Sequence, residues 1–74
     1  MIRWTIQSAT LQEPLLYRMA DGAAGAIPAG PCLLESRPRG HSLVIWGNEG
    51  QFSTEISNDD INRALATRQL ELTK

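Results

Sequence analysis

Ser42-Leu43-Val44-Ile45-Trp46-Gly47-Asn48-Glu49-Gly50-Gln51-Phe52-Ser53-Thr54-Glu55-Ile56-Ser57 is the stretch that decides the fold class of this chain. Two β-prone runs flank Gly47-Asn48-Glu49-Gly50, so the segment reads as a β-hairpin closed by a four-residue loop. In the second arm Phe52, Thr54 and Ile56 share one face, expected to be the inner one, while Gln51, Ser53 and Glu55 meet water. The first arm differs. Leu43, Val44, Ile45 and Trp46 are apolar on both faces, the pattern of a central strand or of one covered by a partner.

A helix start follows at once. Ser57 or Asn58 is suited to cap it, and Asp59 and Asp60 complement the positive end of the helix dipole. Ile61, Ala64 and Leu65 fall at i, i+3, i+4 on one face, which predicts a short helix over 58–66 with Arg68 near its negative end. Residues 69–73 alternate as a last strand, a continued helix being the alternative reading.

Upstream, Ile2, Trp4 and Ile6 alternate with Arg3, Thr5 and Gln7. This predicts a strand over 2–8 that buries its Ile and Trp side chains. Leu15, Tyr17 and Met19 alternate with Leu16 and Arg18 in a second strand. The two are expected to pair antiparallel across the short link 8–14, whose Pro14 suits a strand start or an edge. Residues 21–26 read as a loop of small residues, because two glycines disfavour a helix there. Pro28 and Pro31 force extended and turn geometry. Cys32–Ser36 reads as a third strand and 37–41 as a turn.

Together these elements predict one small domain over residues 1–74, mainly β, a rolled antiparallel sheet or an SH3-like barrel with one short C-terminal helix. The likeness to SH3-like barrels is one of topology alone: a tight hairpin, then a short helical link, then the last strand.

A chain of 74 residues buries only about 60% of the surface its unfolded form exposes, so its own core stabilises it weakly. Small domains find support in disulfides, metals or association. Cys32 is the only cysteine and His41 the only histidine, so neither an internal disulfide nor a zinc-finger cage can form. No metal and no cofactor is expected, and association with itself or with a protein partner is. The net charge of −1 lacks the basic excess of a dedicated nucleic-acid binder. No apolar run reaches the roughly 18 residues that span a bilayer. The first residues lack a signal-peptide core, and with the free thiol this points to the reducing cytoplasm.

Candidate sites follow from the same reading. Arg37, Arg39 and His41 share one turn with no acid between them, an arrangement able to contact an anion; a solvated turn is the plainer account. Among the aromatics, Trp4 and Phe52 share faces with isoleucine and are expected in the core. Trp46, with Val44 beside it on one face, is the candidate for a protein interface, since Trp is enriched in binding hot spots. Leu16 joins them as the apolar member of a polar face. Asn58, Asp59 and Asp60 read as capping residues rather than as ligands for calcium. Cys32 with His41 would offer a nucleophile and a base, yet a buried structural thiol accounts for Cys32 more simply. The sequence therefore points to a non-enzymatic interaction module or a subunit of a larger assembly. The alternative is a small nucleic-acid-binding barrel that uses Arg37, Arg39 and an exposed aromatic.

Overall fold

A computed structural model describes residues 5–18 and 21–73. It is mostly β, with two antiparallel sheets and one short helix. Five strands, β1 (Thr5–Leu11), β4 (Gly30–Ser36), β5 (His41–Trp46), β6 (Phe52–Ser57) and β7 (Leu70–Leu72), form one sheet in the order β6-β5-β4-β1-β7. Strands β2 (Leu15–Arg18) and β3 (Ala24–Ile27) make a separate two-stranded hairpin. Helix α1 (Asn58–Ala66) lies between β6 and β7. Among the described residues β6 and β7 each have one strand neighbour, so the sheet has two edges and does not close into a barrel. No described helix is long and apolar enough to cross a membrane.

The hairpin, the third strand, the helix and the last strand stand where the sequence places them. The hairpin connection takes in Gln51 as well, and Gly50 N–H donates to the Gly47 carbonyl at 3.2 Å. Gly47 and Gly50 have φ of 101° and 66°, a backbone that glycine adopts without steric penalty. Ser57 is the N-cap of α1, its hydroxyl accepting from Asp60 N–H at 3.2 Å. Arg68 lies just past the Thr67 cap with φ 64°, the left-handed position that commonly ends a helix.

Three expectations fail upstream. Strand β1 runs on to Leu11 and buries Ala9 and Leu11, while Ile6 points outward with 61% of its surface exposed. Alternation reports a period of two; which face is covered depends on what packs there. The strands over 2–8 and 15–19 do not pair with each other: β1 pairs with β4 and β7, and β2 with β3. Of the small-residue segment 21–26 expected as a loop, residues 21–23 are turn but 24–26 belong to strand β3. Gly25 stands opposite Tyr17, and a Cβ there would come within 2.5 Å of the Tyr17 ring. The aromatic ring thus occupies the space above a glycine that lacks a side chain of its own. Trp4, Ile2 and Met19 lie outside the described residues.

Register divides the sheet cleanly. Cross-strand partners share a face, so Leu34, Val44 and Thr54 form one inner row and Cys32, Trp46 and Phe52 the next. Leu15 and Ile27 of the small hairpin and Ile61 and Ala64 of α1 join Leu11, Leu34, Val44, Ile56 and Leu70 in the buried core. The outer face carries Leu33 beside Ile45, and Leu43 between Glu35 and Glu55.

A polar knot fixes the helix to the sheet. Buried Ser42 donates its hydroxyl proton to Asn58 Oδ1 at 2.6 Å and accepts from Arg37 N–H at 3.1 Å. Asn58 Nδ2 donates to the Arg37 carbonyl at 3.2 Å, and Asn58 N–H to the Gly40 carbonyl at 2.8 Å. Asn58 therefore does more than begin a helix: it fastens the β4–β5 turn to it. Replacing Ser42 by alanine strands two part-buried polar partners, Arg37 N–H and Asn58 Oδ1, each costing up to about 1–3 kcal/mol when unsatisfied. Ser42→Ala is expected to lower unfolding free energy by that order in urea denaturation, whereas Ser53→Ala on the exposed edge should leave it nearly unchanged.

Candidate interaction groove

The inner face is covered by α1 and the β2–β3 hairpin, and among the described residues no helix or second sheet covers the outer face. There β4 contributes Leu33, 39% exposed, and β5 the half-buried Ile45 directly opposite it. Toward the end of the sheet where the β5–β6 connection meets residues 28–31, these two side chains border an open groove of about 890 Å³. Ser8, Thr10 and Pro31 contribute to its lining, as do Trp46 and Phe52. None of the lining residues is Asp, Glu, Lys, Arg or His. The groove is apolar with a few hydroxyl and amide groups, the composition of sites that orient a ligand by hydrogen bonds and hold it by burial.

Phe52 was expected inside. It lies on the inner face, but in the last rung of the β5–β6 ladder, beyond the cover of α1, and is 52% exposed. Its ring stacks on Trp46 with centroids 5.8 Å apart and planes inclined by 25°. Trp46 itself is half-buried and packs against the core, so it supports Phe52 from below and also lines the groove. Val44 does not belong to an interface: at 1% exposure its side chain is core, because β5 lies between β4 and β6 under the covering layer. Leu16 is 75% exposed, on β2 and away from the groove lining.

The basic turn is less basic than its sequence. The Arg37 guanidinium lies 3.2 Å from Glu55 and 3.7 Å from Glu35, two acids brought from neighbouring strands onto the outer face. Its backbone belongs to the Ser42–Asn58 knot. Arg39 and His41 stay exposed. The acids were invisible to a reading confined to the turn, because both pairings depend on sheet register.

Cys32 and His41 are not assembled into a pair. Cys32 stands opposite Trp46, at the far end of β5 from His41. Burial pushes the Cys32 thiol above its ordinary pKa, the opposite of what an activated nucleophile needs. Among the described residues no group of three or more His, Cys, Asp and Glu is placed to hold a metal ion. Leu33, Ile45 and Phe52 are apolar groove residues that the sequence does not single out as a site. The signal for Leu33 and Ile45 lies in the apolar character of both faces of β4 and β5.

Comparison with known proteins adds no relative: no family model, no curated protein and no solved structure matches this chain.

The raised Cys32 pKa gives a sign for pH dependence. The folded state holds the proton to higher pH than the unfolded chain, so stability conferred by the neutral thiol is complete below the ordinary thiol pKa and declines as pH rises above it. Chemical denaturation across that alkaline window should show a downward slope in the wild type that Cys32→Ala reduces.

Proposed function

We propose that the protein is a non-enzymatic interaction module that docks an uncharged, apolar segment of a partner protein in the outer groove. The observation that carries this reading is the groove lining: Leu33, Ile45 and Phe52 offer apolar contact, and no charged side chain stands among the lining residues. A charged ligand entering such a surface would lose hydration without gaining a counter-charge. Exposed apolar surface framed by polar groups is a common mark of protein contact.

In this reading Leu33 and Ile45 form the floor, Phe52 gives a wall stiffened by Trp46, and Ser8 and Thr10 offer hydrogen bonds to the partner's backbone. The free, buried thiol fits a cytoplasmic setting. The nucleic-acid alternative draws less support, since Glu35 and Glu55 offset the charge of Arg37 and leave Arg39 and His41 as the exposed groups of that turn.

The test is selection of a displayed peptide library on the immobilised protein beside its Leu33→Glu variant. Segments enriched by the wild type are expected to be apolar and uncharged, with binding about tenfold or more weaker on Leu33→Glu, as for loss of a central contact worth above 1.4 kcal/mol. Enrichment of acidic segments, or equal binding by both proteins, contradicts the proposal.

A further inference from the structure

Strand β6 is the longest exposed edge of the main sheet. It has six residues against three in β7, the opposite edge. Natural sheets protect such edges with proline, lysine, a bulge, a very short strand or a covering element. Phe52-Ser53-Thr54-Glu55 contains no proline and no lysine. Its six consecutive pairings with β5 run without a bulge, from Trp46↔Phe52 to His41↔Ser57. Phe52, Ser53 and Glu55 are exposed. Beyond the ladder to β5, the described residues supply no backbone hydrogen bond to Phe52, Ser53, Thr54 or Glu55. The one ionised side chain of the strand, Glu55, is partnered by Arg37 at 3.2 Å. The usual electrostatic guard of an edge is thereby offset.

We infer that this edge pairs with the β6 edge of a second copy of the chain. A twofold axis normal to the sheet and passing through Ser53 gives an antiparallel pair in which equivalent faces stay on the same side. It sets Ser53 against Ser53, Phe52 of each copy against Thr54 of the other, and Glu55 against Gln51. Phe52 against Thr54 is an aromatic and β-branched cross-strand pair, a favourable combination. No charge meets a like charge: the two Glu55 side chains fall at opposite ends of the paired segment, each facing an uncharged amide. The net charge of −1 per chain adds little repulsion at longer range. Pairing centred on Ser53 keeps clear of Ile56 and Ser57, where α1 begins. The two sheets become continuous and their outer grooves lie on one side, so the pair presents two docking sites on a common surface. The pairing shares Phe52 and Gln51 with the groove lining, but its axis residue Ser53 is not among the lining residues, so variants at Ser53 separate the two readings.

Sedimentation equilibrium over a rising concentration series tests it, with circular dichroism confirming that each variant is folded. The wild type is expected to convert from monomer to dimer. Ser53→Lys and Ser53→Asp, each placing like charges face to face on the axis, should weaken self-association by about fivefold or more. An equimolar mixture of the two variants should recover it. A Ser53→Cys variant provides a second reading, joining into a covalent dimer on mild oxidation. A wild type that stays monomeric, charged variants that associate as the wild type does, a mixture that stays monomeric, or a Ser53→Cys protein that does not cross-link each overturns the proposal. Peptide binding retained by monomeric Ser53→Lys would leave the groove reading standing on its own.

Discussion

The structure depends on a shortage of cover. A five-stranded sheet has two faces, and the described residues supply one nine-residue helix and one four-by-four-residue hairpin to pack against them. Both go to the same face, where Ile27, Leu34, Val44, Ile56 and Leu70 become buried with Ile61 and Ala64. Burying these side chains is the main force holding the chain together, at roughly 25 cal/mol per Å² of apolar surface removed from water. The other face is left with Leu33, Ile45 and Leu43 against solvent. Fold and proposed function are linked through this asymmetry.

The polar knot around Ser42 decides where the cover lies. Helix α1 follows β6 directly, and without a lateral tie its start would be held only by the chain connection and its packing. Asn58 fixes that start to the β4–β5 turn through three hydrogen bonds, two of them to backbone carbonyls. The same turn is braced on the outer face by Arg37 reaching Glu35 and Glu55. A segment that looks like a solvated basic loop is thus joined to three strands and a helix. Arg37 contributes to architecture at a position where its charge alone suggested a ligand.

How much could be read beforehand follows from the range of each interaction. The hairpin at 42–57 and the helix at 58–66 are local: their turn glycines, Ser57 cap and apolar spacing lie within a few residues of the structure they specify. The pairing of β1 with β4 and β7 joins residues far apart in the chain, and alternation carries no information about a distant partner. For that reason Ile6 was assigned to the wrong face, and Ala9 was missed as core because a methyl group gives a weak hydrophobic signal. Strand β3 was hidden by Gly25, whose missing side chain is replaced in space by Tyr17. At the site, the apolar double face of β5 was legible and placed it correctly among neighbours, but Val44 and Ile45 exchange roles: the first is core and the second surface. Phe52 was misplaced because strand parity says nothing about where the covering layer ends.

The most direct test of the asymmetry is covalent footprinting of the groove, with carbene labelling of the outer-face Leu33 and Ile45 and of Phe52 at its rim read by mass spectrometry in the purified protein and in intact cells. The account predicts strong labelling of all three in the dilute purified protein, with Val44 and Leu34 unlabelled, and protection of Leu33, Ile45 and Phe52 inside the cell. Labelling of those three at equal levels in both settings would contradict the groove as an interaction surface, and labelling of Val44 or Leu34 in the purified protein would contradict the division of faces itself.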